Sequence, residues 1–219
     1  MQTGDSTLRT MERETSSTAG GKQPEEESAT LAGIYNFLAQ AMRYPDSHLY
    51  AADYPDTLMV LLELLHRDQE KKELAAWKAG DGDRLEELQV EYTRLFINSG
   101  QGPTPAPPYA SVYLDGGMLQ GGSTEQLAAL YRQQGFEPDG NGEPVDHLSF
   151  QLQFLALLTA RDRHDGSEEK FLADFFRPWF QLFYTKVLEN TRHPFYRVSV
   201  QLIDFLTKEE INGDQSNQA

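Results

Sequence analysis

Asp146, His147 and Ser149 bring the three side-chain types of a hydrolytic triad within four residues. A proton relay needs carboxylate, imidazole and hydroxyl in line, whereas neighbours on a helix project about 100° apart because the helix repeats every ~3.6 residues. The spacing excludes a relay among them. Asp139-Gly140-Asn141-Gly142-Glu143 has the opening of a calcium loop, but Pro144 takes the position that requires glycine and Phe150 that of the bidentate glutamate. Gly80-Asp81-Gly82-Asp83 lacks the third glycine and the preceding strand of a dinucleotide fingerprint, and no phosphate-loop Gly-Lys-Ser/Thr occurs in the chain. The histidines, His48, His66, His147, His164 and His193, are never three or four residues apart, so no helical metal site is encoded and none is expected. With no cysteine, disulfides, thiolate zinc sites, thiol catalysis and cysteine-bound iron–sulfur clusters are also excluded. What is left at Glu91 to Leu158 is a binding surface, not a reaction centre.

The elements that must hold this surface are helices. Leu31, Ile34, Tyr35, Leu38 and Met42 recur at helical spacing until Tyr44-Pro45 stops them, and Leu58, Leu61, Leu62 and Leu65 follow Asp53-Tyr54-Pro55 in the same way. A short charged helix around Glu70 to Ala79 precedes Asp83, a cap for the helix bearing Leu85, Leu88, Tyr92, Leu95 and Phe96. Glycines and prolines between Ser99 and Pro108 deny helix and central strand, which predicts an ordered loop pinned by Tyr109, Val112 and Tyr113. Gly121 to Glu125 opens a helix that stops at Gly135, and Asp146 to about Arg163 is apolar on two faces, as a central bundle helix is. The aromatics from Phe171 to Tyr184 read as core on a long helix through Glu189 that Pro178 could kink, and a last helix starts at Pro194. No segment alternates with period two, so the fold class is all-α, a single-domain helical bundle. Its boundaries are expected at 28–210, after a disordered leader, 1–27, and before a polar tail, 211–219.

Hydrophobic residues make up 39% of 219, enough for one core, and the formal net charge is −15. That charge disfavours nucleic acid and anionic lipid as partners, and no stretch is apolar enough for stable membrane insertion. A cytoplasmic protein with neutral or basic partners is expected.

Four stretches resemble the family of redox-enzyme maturation chaperones of the TorD/DmsD type, related more distantly to the NarJ-type nitrate reductase assembly chaperone. They are Glu91-Tyr92-x-x-Leu95-Phe96 with Pro108 to Tyr113; Gly122-x-Thr124 with Tyr131-x-x-x-Gly135-Phe136; Glu143-Pro144-Val145-Asp146-His147-Leu148 with Leu152 and Phe154-Leu155; and Phe171-Leu172, Trp179, Phe183 and Phe195-Tyr196. The resemblance implies an all-helical fold, no catalytic turnover and no cofactor of the chain's own. It also implies a role in the cytoplasm, where the chain would bind the twin-arginine leader, and often the folded body, of the catalytic subunit of a molybdenum oxidoreductase until its molybdopterin cofactor is inserted. A leader offers two arginines and an apolar helix, so its receptor needs carboxylates beside an apolar groove.

The client-binding residues implied are Tyr109, Ser111, Tyr113, Asp146, His147, Glu91 and Gln151. Two alternatives stand for each wall of this groove: Asp146 and His147 contact the leader, or Asp146 caps the core helix and His147 satisfies a loop carbonyl. Glu91 pairs either with a client arginine or with a buried loop group. Gln151 and Gln153 stand where many relatives carry glutamates, and the long N-terminal leader is not part of the family pattern. The rival reading is a helical adaptor or regulatory protein that binds another amphipathic helix. Monomer and domain-swapped dimer both remain open.

Overall fold

The apolar spacing produces ten helices among the described residues of a computed structural model, which are 22–47, 49, 54–98, 100, 102–139, 142–161 and 165–212. In order they are α1 (Lys22–Ala41), α2 (Tyr54–Leu64), α3 (Asp68–Lys78), α4 (Arg84–Tyr92), α5 (Ala110–Leu114), α6 (Gly122–Gln133), α7 (Leu148–Ala160), α8 (Ser167–Phe171), α9 (Arg177–Asn190) and α10 (Pro194–Asn212). No β-strand occurs among the described residues; the one isolated antiparallel bridge there joins Tyr109 to His147. The all-α expectation holds. Helix α1 begins at Lys22, ahead of the expected Ser28, while residues 1–21 of the expected leader and 213–219 of the expected tail lie outside the described residues.

Helix α7 is the centre. Ten of its thirteen residues are buried, because it is apolar around most of its circumference and must be covered on every side. Helix α1 makes the most extensive contact with it, and aromatics of α8 and α9 close the remaining side: Phe154 meets Phe171 at 5.0 Å between ring centroids and Trp179 Nε1–H donates to Gln151 at 3.0 Å. Such an aromatic pair adds about 0.5–1.5 kcal/mol beyond the area it buries.

Two wide, π-helical turns were not foreseen. Thr93–Ile97 extends α4, closed by Asn98 N–H donating to the Thr93 carbonyl at 2.7 Å, and Leu172–Phe176 joins α8 to α9. The second lies just ahead of Pro178, which sits in the first turn of α9. Proline cannot donate to the preceding turn and its ring crowds that turn's carbonyl, so the strain expected as a kink at Pro178 is absorbed one turn earlier.

Candidate functional site

The chain crosses itself where the loop before α5 meets the start of α7. Leu148 N–H donates to the Pro108 carbonyl at 2.8 Å and Ala110 N–H to the Asp146 carbonyl at 3.2 Å, which forms the Tyr109–His147 bridge. The loop 102–108 is fastened behind it by Ala106 N–H to the Leu95 carbonyl and Thr104 Oγ1 to the Ile97 carbonyl. The expected ordered loop is therefore present, and it ends in a short helix, α5, that its composition did not announce.

Asp146 is fully buried and does not cap α7. Its Oδ2 accepts the N–H of Ser111 at 2.8 Å, in the first turn of α5, while Oδ1 has no hydrogen-bond partner among the described residues. The cap of α7 is His147, because the helix starts one residue later than expected: Nδ1 accepts Ser149 N–H at 3.1 Å and lies 2.8 Å from Ser149 Oγ. An accepting Nδ1 places the ring proton on Nε2. His147 thus caps by accepting, and does not serve a loop carbonyl. Burial, and then the nearby Arg43 charge, push its pKa down to about 3, so the imidazole is neutral at physiological pH.

Of the other expected residues, Ser111 is buried and its Oγ accepts Gln120 N–H. Gln151 is buried and bridges two elements, donating to the Asp146 carbonyl at 2.8 Å and accepting Trp179 Nε1–H at 3.0 Å. Tyr113 packs its ring on Trp179 and Phe183, and burial raises its phenol pKa. Glu91 lies away from this crossing. It holds Arg94 through two hydrogen bonds of 2.8 Å and accepts Arg192 N–H and the Thr191 hydroxyl. Burial alone would raise its pKa, but these donors outweigh it and keep the carboxyl below the usual range. Glu91 thus has buried loop partners within the chain, as its second alternative expects.

A cavity of about 300 Å³ opens at the crossing, and only Tyr109 and His147 of the seven expected residues line it. Tyr44, Tyr92, Phe96, Ile97 and Phe150 form its apolar wall; Arg43, Asp139 and Glu143 bring charge. Tyr44 and Ile97 are half exposed, at 51% and 54%, so the wall continues onto the surface. The Tyr109 hydroxyl donates to Glu143 Oε1, and burial followed by this bond raises the Tyr109 pKa. The wall is positioned from α4: the Tyr92 hydroxyl donates to the Met42 carbonyl, Gln89 to the Pro45 carbonyl, and Tyr44 meets Tyr92 edge-on at 5.5 Å. Arg43 and Tyr44 escaped the sequence reading; the signal available was a charged and an aromatic residue at a proline-stopped helix end. Apolar wall, neutral histidine and two carboxylates suit an apolar segment carrying a cation.

Comparison with known proteins gives the family. Proteins named chaperone protein TorD from Vibrio cholerae are 37% identical over 99 residues, 45% of this chain and 40% of theirs; one from Actinobacillus succinogenes is 33% identical over 122 residues, 53% of this chain and 60% of its own. The chain spans about half the length of the curated relatives it matches. A crystal structure described as that of a redox enzyme maturation protein from Archaeoglobus fulgidus superimposes with a TM-score of 0.53 at 26% identity, over 90% of this chain and 99% of that one. The family resemblance expected from Glu91 to Tyr196 is thereby met. Residues 66–185, more than half of the chain, match the family described as nitrate reductase delta subunit, and the chain belongs to that family.

Proposed function

We propose that this protein is a cytoplasmic maturation chaperone for a molybdopterin-containing oxidoreductase subunit. It binds the subunit's twin-arginine leader at the cavity beside His147, holds the apo form, and assists cofactor insertion before export, with no turnover of its own. The observation that carries this reading is the cavity's make-up in a chain whose relatives are named chaperones: Tyr44, Phe96, Ile97 and Phe150 receive an apolar segment, and Asp139 and Glu143 receive guanidinium. The net charge of −15 speeds encounter with a basic leader. Asp146, Ser111 and Gln151 act from behind, by fixing the start of α5 and α7 relative to Trp179.

The test is a binding titration of a twin-arginine leader peptide against its double-lysine version. The arginine peptide is expected to bind about tenfold tighter, because lysine cannot present a bidentate fork. Equal affinity for both peptides would remove arginine recognition and favour a general helix adaptor.

A further inference from the structure

The cavity that is offered to a client cation already contains one. Arg43 follows α1, reaches into the cavity wall and sits with its guanidinium 5.8 Å from the centre of the Phe150 ring. Its Nη2 donates to the Asp139 carbonyl at 3.4 Å, a long bond, and Arg43 makes no ion pair among the described residues. Neither Glu143, one oxygen of which accepts the Tyr109 hydroxyl, nor Asp139 forms an ion pair with it. Arg43 is thus an arginine without a carboxylate partner among the described residues, in a cavity that two carboxylate residues line.

The chemistry that Arg43 uses is the chemistry a guanidinium ligand would seek: an aromatic face for its plane and a carbonyl for its N–H groups. The backbone holds it there, since Arg43 N–H donates to the Gln40 carbonyl and the flanking Met42 and Pro45 carbonyls are tied to Tyr92 and Gln89 of α4. The side chain itself is only lightly restrained. A second guanidinium entering the cavity meets a like charge, and the side chain can swing out to solvent without breaking an ion pair.

We infer that Arg43 is a resident surrogate for a client arginine, a specificity-determining residue that an arginine-bearing ligand must displace and that helps to expel it afterwards. The inference rests on the leader-binding reading above. It gives the site selectivity as well as release: only a ligand that brings apolar contacts along with its guanidinium gains enough to displace the resident one, and free arginine or a merely basic segment does not.

The experiment compares wild type, Arg43→Gln and Arg43→Lys by titration with a labelled twin-arginine leader peptide and its double-lysine version, alongside thermal melts of each protein. Gln keeps an amide donor for the Asp139 carbonyl and removes the charge. Arg43→Gln is expected to bind the arginine peptide about 3- to 10-fold tighter with slower dissociation, and Arg43→Lys to stay within about twofold of wild type. Melting temperatures should agree among the three. Equal or weaker binding by Arg43→Gln, with wild type binding normally, overturns the inference and leaves leader recognition standing. If no form binds either peptide, leader recognition fails and this inference falls with it.

Discussion

Glu91 and Asp146 each tie a helix to a distant stretch of chain from a buried position. Glu91 spends both oxygens on Arg94, Thr191 and Arg192, joining the end of α4 to the turn before α10. Asp146 spends one oxygen on the Ser111 N–H and leaves the other without a partner among the described residues. A carboxylate matched to a cation and several donors recovers its desolvation cost, and removing it strands the cation, whereas one held by a single backbone N–H is replaceable by any acceptor of the same shape. The difference teaches that the joint of greatest consequence for stability lies away from the cavity, and the joint behind the cavity is the more lightly built.

Glu91→Ala is the harshest way to sharpen this contrast. It leaves Arg94 partly buried and unpaired and frees the turn before α10, so a loss of about 3 kcal/mol is expected in denaturant unfolding, with leader affinity of the folded fraction unchanged. Equal stability in mutant and wild type would break the contrast.

The next largest effect belongs to His147. Its folded pKa of about 3 lies below the unfolded value of 6.5, so the unfolded chain takes up the proton first. Its contribution to stability is full above about pH 6.5 and is lost as pH falls toward 3. Between pH 7 and pH 5 this amounts to about 2 kcal/mol. His147→Asn keeps a capping oxygen without a titrating ring, and should show that much less acid loss in unfolding measured at both pH values. His193, also held down chiefly by burial, adds loss in the same direction and is common to both proteins.

Asp146 provides the smallest and most discriminating pair. Asp146→Ala strands the Ser111 N–H and should cost about 1–2 kcal/mol, while Asp146→Asn, which retains an acceptor, should cost less than about 0.5 kcal/mol. A loss with Asn as large as with Ala would show that the negative charge itself matters at the start of α5.

The helices were legible in the sequence because their apolar residues repeat at the helical period, and α7 was recognisable as central because Leu148, Phe150, Leu152, Phe154 and Leu155 leave it no solvated face. Contacts across long separations were not legible. Nothing near Glu91 announces a partner 101 residues away at Arg192, and nothing near Gln151 announces Trp179. The residues expected to bind lie partly behind the cavity proposed as the site: Asp146, Ser111 and Gln151 support it, Tyr109 and His147 line it, and Arg43 and Tyr44 complete it from a helix end with no evident motif. A residue-type pattern marks where backbones converge, but side-chain direction at a helix start changes by about 100° per residue, so a one-residue shift in the start of α7 passes the cap from Asp146 to His147.

The same arithmetic gives the wide turn at Leu172–Phe176 a meaning for insertions and deletions. The wide turn takes up one extra residue while the rotational phase of everything downstream on α9 stays close to that of a regular helix. Shortening the turn by one would regularise the helix and leave Trp179 and Phe183 facing Gln151 and Tyr113, because a wide turn spends about one more residue on the same rotation than a regular one does. A one-residue deletion should therefore be tolerated in this irregular turn, whereas the same deletion at the start of the regular part of α9 would turn Trp179 and Phe183 by about 100° and loosen the bracing behind the cavity.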